Sequence, residues 1–260
     1  MAGDDIHDAR RALALLDLTE LGDGATDADV ERLCDRAVGP HGRVAAVCVW
    51  PRHVALAVER LWGSNVRVAT VVNFPTGDEP VAEVVAMTEQ ALADGADEID
   101  LVLPHRALSA GDTLTPAAMV DAVRAVVPFD SHRLKVILET GELRDPTTIR
   151  QAAELAVAHG ADFIKTSTGK TTRHATPEAV RVMLEVIRGE RDRTGRVIAL
   201  KPSGGIRTLD DARAYLALAD EVMGPEWATP ETFRFGASGL LTALEGALGD
   251  APGSTGQEGY

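Results

Sequence analysis

Short runs rich in β-branched residues alternate with longer stretches at helical spacing along this chain, and that alternation restricts its fold more than any other feature. Repeated strand–helix units build a parallel sheet covered on both faces. The runs fall at Val44–Val49, Arg67–Val72, Glu98–Val102, Leu134–Glu139, Phe163–Thr166, Val197–Lys201, Asp220–Met223 and Arg234–Ala237. Eight strands with intervening helices in 260 residues fit an α/β fold of one closed (β/α)8 TIM barrel, whereas an open doubly wound sheet needs fewer strands or more chain. Thr115-Pro116, Asp145-Pro146 and Thr176-Pro177 each read as a capping side chain followed by proline at the first helical position. After the second of these, Ile149, Ala152, Ala153, Ala156 and Val157 share one helix face up to the stop at Gly160. The segment before Val44 is expected to add an extra N-terminal helical region. Residues 1–250 then form one barrel, and the Gly/Pro/Ser-rich stretch Ala251–Tyr260 a flexible tail.

Composition narrows the partners. A net charge of -14 disfavours a nucleic-acid or anionic membrane surface. Residues Met1 to Arg10 lack the basic-then-apolar pattern of a signal peptide, and no apolar run approaches the ~20 residues that cross a bilayer. A soluble cytoplasmic protein with small-molecule substrates, and neither nucleic acid nor membrane as partner, is the expectation. Cys34 and Cys48, in a predicted helix and a predicted strand, have no metal or disulfide spacing and read as buried apolar residues; the scattered histidines nominate no metal site.

Only four of the 26 basic residues are lysine. Three of the four lie within or at the start of strand runs: Lys135, Lys165 and Lys201, with Asp100 in another such run. Ionisable groups inside a two-face-covered strand are costly unless they lie at its open end. Lys165 and Lys201 come late in successive strands, where side chains converge on the carboxyl-terminal mouth at which barrel enzymes work. Each can instead be an ion-pairing strut. The chemistry favours a paired role: an amine attacks a carbonyl only when neutral, and both burial and a second ammonium drive off its proton. Asp100 is placed to move protons directly or through water, or else to cap the next loop. Glu139 and Asp17 are weaker candidates for orienting this network. Ser203-Gly204-Gly205, Gly236-Ala237-Ser238-Gly239 and Thr168-Gly169-Lys170 follow three of the runs, and small residues at one rim suit a phosphate, although ordinary turns use them too.

The run Ala161-Asp162-Phe163-Ile164-Lys165-Thr166-Ser167-Thr168-Gly169-Lys170 resembles the Schiff-base segment of deoxyribose-phosphate aldolases. So do Ala69-Thr70-Val71-Val72-Asn73-Phe74-Pro75, Asp97-Glu98-Ile99-Asp100, Lys135 through Leu143, Lys201 through Thr208, and Phe235-Gly236-Ala237-Ser238, in family order from about Asp17 to Leu248; the longer motifs are similar to the enterobacterial-type branch. The resemblance implies a (β/α)8 barrel that reversibly cleaves 2-deoxyribose 5-phosphate to acetaldehyde and glyceraldehyde 3-phosphate with no cofactor and no metal, and that forms a homodimer in many relatives. It implies Lys165 as the imine-forming nucleophile, Lys201 as the neighbouring ammonium and Asp100 as the proton-transfer partner. Lys135 and Asp17 are implied as supporting members of that network. Thr168, Gly169, Lys170, Gly204, Gly205, Gly236 and Ser238 are implied at the phosphate end, and Tyr260 as a C-terminal tyrosine able to reach the site. Gly239 stands where many relatives have a second serine, Trp50 where tyrosine is common and Thr76 where histidine is frequent. A different Schiff-base barrel, transaldolase-like or acting on another sugar phosphate, and a catalytically silent barrel that binds sugar phosphates, are the other readings.

Overall fold

A computed structural model describes residues 2–249. Eight parallel strands form its sheet: β1 (Leu16–Glu20), β2 (Ala46–Val49), β3 (Arg67–Val72), β4 (Glu98–Val102), β5 (Arg133–Ile137), β6 (Phe163–Lys165), β7 (Ala199–Lys201) and β8 (Phe235–Ala237). From β1 to β7 each pairs in parallel with the next, and β1 pairs with β8. Between β7 and β8 the ring closes through the Leu200–Phe233 and Ser203–Gly236 bridges, with the Gly236 N–H donating to the Pro202 carbonyl at 2.8 Å. The result is the expected (β/α)8 barrel.

Two of the expected elements change places. Asp220–Met223 is no strand: it ends the helix Leu209–Met223, which opens on a capping box of Thr208 and Asp211. Val222 and Met223 continue the face buried by Ala212, Tyr215, Leu216 and Ala219, so the 3.6-residue period, not β-branching, decided that segment. The missing strand is β1. It follows the N-terminal helix Ala2–Ala14 after one residue, so no turn residue separates helix from strand, and the run of leucine and alanine carries helical character straight into it. The extra N-terminal helix is present; the region after it belongs to the barrel.

Elsewhere the strand ends match the expected ones or shift by one or two residues; β2 starts at Ala46 instead of Val44, and a separate antiparallel pair, Val38–Gly39 with Gly42–Arg43, precedes it. The caps at Asp145 and Thr176 accept from the N–H groups of Thr148 (2.9 Å) and Ala179 (3.2 Å). Thr115, by contrast, lies inside the helix Leu114–Val126, where the Asp112 carboxylate accepts from the N–H groups of Leu114 and Thr115. The helix Pro146–Ala158 buries the face the sequence marked: Ile149, Ala152, Ala153, Ala156 and Val157. No helix among the described residues is long and apolar enough to cross a membrane. The tail Ala251–Tyr260 lies outside the described residues.

Candidate active site

Parallel strands in a barrel bring the last residues of adjacent strands side by side at one rim. Lys165 ends β6 and Lys201 ends β7, and the two are partners in the β6–β7 register. Lys135 opposes Asp100 across β4–β5 in the same way. Alternation along a strand sends Glu98 and Asp100 to the same face, here the barrel interior, and Asp17 of β1 joins them. All five expected members, Asp17, Asp100, Lys135, Lys165 and Lys201, therefore meet in one network. The Asp100 Oδ2 accepts from Lys165 Nζ at 2.8 Å and from Lys201 Nζ at 2.9 Å, and Oδ1 from Lys135 Nζ at 2.6 Å. Lys201 makes a second ion pair with Asp17 at 2.6 Å.

Sequence reasoning missed two members. Glu98 opens β4 and pairs with Lys135 at 2.6 Å; Arg234, just before β8, reaches Asp17 at 2.6 Å and Glu98 at 3.0 Å. A signal existed. Glu98 stands two residues from Asp100 in one strand run, the spacing that puts two carboxylates on one face. Arg234 offered no comparable mark in a chain that uses arginine freely.

The electrostatics differ for the two mouth lysines. Burial dominates at Lys165, and with Lys201 it outweighs the single contact to Asp100, leaving the Lys165 amine below the usual lysine range. Burial also opposes the charge on Lys201, but Asp100 and Asp17 together outweigh it and hold that ammonium above the usual range. Asp100 is equally buried, yet Lys135, Lys165 and Lys201 keep it well below the ordinary carboxylate range. One amine is primed to lose its proton beside one that keeps it.

A cavity of about 680 Å³ opens on this network at the carboxyl-terminal rim. Of the seven networked groups Lys165 alone lines it; Asp100 and Lys201 lie behind. The rest of its wall holds every residue expected at the phosphate end: Thr168, Gly169, Lys170, Gly204, Gly205, Gly236 and Ser238. Gly169, Gly204 and Gly205 have φ near +80°, a conformation that favours glycine. Ser238 and Gly239 precede the helix Leu240–Gly249, whose amino end carries partial positive charge toward the same wall. The Lys170 ammonium, however, pairs with Asp23 at 2.7 Å on the outer rim. Arg207, which the sequence reading did not single out, lines the cavity as a further cation.

Glu139 has a definite place. It follows β5 in the left-handed region, φ 57°, and is fully buried. Its Oε2 accepts from the Thr168 hydroxyl at 2.5 Å and from the Thr168 N–H at 3.2 Å, while Oε1 accepts from Thr171 at 3.3 Å. It ties down the loop after Lys165 instead of joining the Asp100 network. Cys34 and Cys48 are buried and unpaired, as expected. No cluster of metal-ligating side chains occurs among the described residues. Tyr260 lies outside the described residues.

A closed parallel barrel whose mouth presents one amine, primed by burial and a neighbouring ammonium, defines a class of barrel protein equipped for carbonyl chemistry through lysine. The DeoC/LacD family aldolase model matches residues 11–244, and the chain belongs to that family of aldolases. It is 50% identical over 254 residues, 97% of this chain and 96% of the other, to the deoxyribose-phosphate aldolase of Agrobacterium fabrum. A Toxoplasma gondii ME49 crystal structure, provisionally described as a deoxyribose-phosphate aldolase, superposes with a TM-score of 0.87 at 28% identity, covering 95% of this chain and 96% of that one. The tetrameric deoxyribose phosphate aldolase of Aeropyrum pernix shares the fold, with a TM-score of 0.75 at 24% identity over 94% and 97% of the two chains.

Proposed function

We propose that this aldolase reversibly cleaves 2-deoxy-D-ribose 5-phosphate to acetaldehyde and D-glyceraldehyde 3-phosphate through an imine on Lys165. The observation that carries the reading is that Lys165 alone, of the buried charged network, opens into the cavity lined by the glycine-rich loops. The neutral amine attacks C1 of the open-chain sugar, and the carbinolamine loses water to give a protonated imine. The C3 hydroxyl gives up its proton, the C2–C3 bond breaks toward the imine, and glyceraldehyde 3-phosphate leaves. The remaining enamine takes a proton at carbon and is hydrolysed to acetaldehyde, returning the amine. Asp100, hydrogen-bonded to Lys165, serves as the group that holds or relays these protons, and Lys201, which keeps its charge, favours the unprotonated Lys165. Lys135 and Asp17 support them from below. The phosphate falls to the backbone of Gly169, Gly204, Gly205 and Gly236, to the Thr168 and Ser238 hydroxyls and to the amino end of the last helix, with Lys170 and Arg207 at the rim.

Because the imine is the electron sink, a chelator leaves the rate unchanged. Borohydride with acetaldehyde traps a two-carbon adduct on Lys165, read by peptide mass spectrometry; full activity in Lys165→Ala overturns the assignment. Turnover of other sugar phosphates with larger donors favours a transaldolase-like enzyme instead. A homodimer located in the cytoplasm is the expected state of the protein, and a monomer or tetramer by light scattering argues against the dimer.

A further inference from the structure

The network beneath the cavity has an odd charge count. Three carboxylates (Asp17, Glu98, Asp100) share the barrel interior with four basic groups (Lys135, Lys165, Lys201, Arg234), and none of the seven is more than 4% exposed. Fully charged, the set holds one surplus positive charge, which a low-dielectric interior disfavours; losing one proton makes it neutral. Contacts decide which base yields. Arg234 cannot, because a guanidinium keeps its proton. Lys135 has Glu98 and Asp100 each at 2.6 Å, and Lys201 has Asp17 at 2.6 Å and Asp100 at 2.9 Å. Lys165 has one carboxylate contact among the described residues, Asp100 at 2.8 Å, on the oxygen that Lys201 also uses.

We propose that Glu98 and Arg234, at the closed floor of the barrel, are positioning residues that fix the charge parity of the network and so leave Lys165, at the mouth, as its neutral amine. Both sit at the amino-terminal ends of their strands, opposite the rim that Lys165 and Lys201 occupy, and they are joined to each other at 3.0 Å. Arg234 contributes a charge that no neighbour can remove; Glu98 contributes the third anion without which two bases have to give up protons. The other groups facing this set do not alter the count. Cys48, on β2, is buried and its thiol is pushed up, hence neutral. Arg67 approaches Glu98 at 4.0 Å but is half exposed and pairs with Asp97 at 3.6 Å. Glu139 is bonded to Thr168 and Thr171, and Glu20, Lys170, His174 and Arg207 line the open cavity, where solvent screens them.

The inference rests on Lys165 being the imine-forming amine, and its test reads that amine directly. The full chain is treated with acetaldehyde and borohydride over a pH series, and the rate of adduct formation at Lys165 is followed by mass spectrometry. Arg234→Gln removes a positive charge, so Lys165 holds its proton longer and the rising limb of the profile moves to higher pH. Glu98→Gln removes a negative charge, so the limb moves to lower pH. One unit charge in such an interior is worth about tenfold in a protonation equilibrium, so at a fixed pH on the limb trapping falls about tenfold in R234Q and rises about tenfold in E98Q. The double variant E98Q/R234Q restores parity, and its limb returns to that of the wild type. Loss of packing alone moves both single variants the same way and the double variant further, which overturns the proposal. If R234Q fails to fold, E98Q against the double variant carries the test, and an unmoved limb in E98Q overturns it. A wild type that traps no adduct on Lys165 overturns the aldolase mechanism and this inference with it; a wild type that traps while the limbs stay fixed overturns this inference alone.

Discussion

Lys165 and Lys201 are the same residue type at partnered positions, yet their effects on stability have opposite sign. The folded-state pKa of Lys165 is lowered, so below the unfolded value of about 10.4 the unfolded chain binds the proton more tightly and this amine destabilises the fold. Lys165→Met removes that cost and leaves Asp100 its contacts to Lys135 and Lys201; stability is expected to rise by about 1–2 kcal/mol while activity vanishes. Calorimetry near neutral pH checks it, and a fall in Tm contradicts it. The folded pKa of Lys201 is raised, so its contribution is fully present below about pH 10.4 and is lost as pH climbs through the folded value. Lys201→Met takes the ammonium that Asp17 and Asp100 share and leaves Asp17 with Arg234 and Asp100 with Lys135 and Lys165; a loss of about 3 kcal/mol is expected from denaturant titration. Activity in the wild type follows the neutral amine and declines as pH falls through the lowered Lys165 value, which kcat/KM against pH measures.

The loops after β6, β7 and β8 and the helix termini beside them fix the shape of the mouth. Gly236 in β8 shows how tightly: a Cβ there meets the Ser203 hydroxyl and lies 3.0 Å from Lys201 Cε, the arm of the charged neighbour. Gly236→Ala is expected to cost about 1–3 kcal/mol through overpacking. Displacing Lys201 should also lower kcat roughly tenfold or more, because small misplacements at a reacting centre are expensive. A variant with unchanged Tm and kcat refutes the close approach. In the loop after β6, Thr168→Val takes the hydroxyl from Glu139, leaving that buried carboxylate short of a donor; about 1–3 kcal/mol of stability should be lost. A larger rise in KM than fall in kcat is expected there if the loop holds substrate, and steady-state kinetics separates the two.

The whole chain carries a net charge of -14, while its barrel interior concentrates carboxylates paired to bases. Asp17, Glu98 and Asp100 all have folded pKa values held below their ordinary ones by Lys201, Arg234 and Lys135 against the opposing effect of burial. Their stabilisation is complete above the unfolded carboxylate values of about 4 and drains away as pH falls toward the folded ones. Acidification is therefore expected to unfold the protein steeply below about pH 4, followed by far-UV circular dichroism, with E98Q flattening the loss. A barrel stable to pH 2 contradicts this coupling.

Sequence alone determined the strand–helix alternation, the parallel barrel, and four of the seven residues of the buried network, Asp100, Lys135, Lys165 and Lys201, because ionisable side chains inside apolar strand runs stand out against what surrounds them; Asp17, a weaker candidate, rested on the family resemblance. It also determined the face of the helix Pro146–Ala158, whose period is local. It could not place β1, where helix passes into strand after one residue, nor see that Asp220–Met223 prolongs a helix, because short apolar runs fit either period until the packing around them is known. The tertiary structure decided those, and it decided the protonation logic as well. Which carboxylate meets which base depends on register across strands 35 to 217 residues apart in sequence, as in Asp100 with Lys135 and Asp17 with Arg234, and no local pattern encodes that distance.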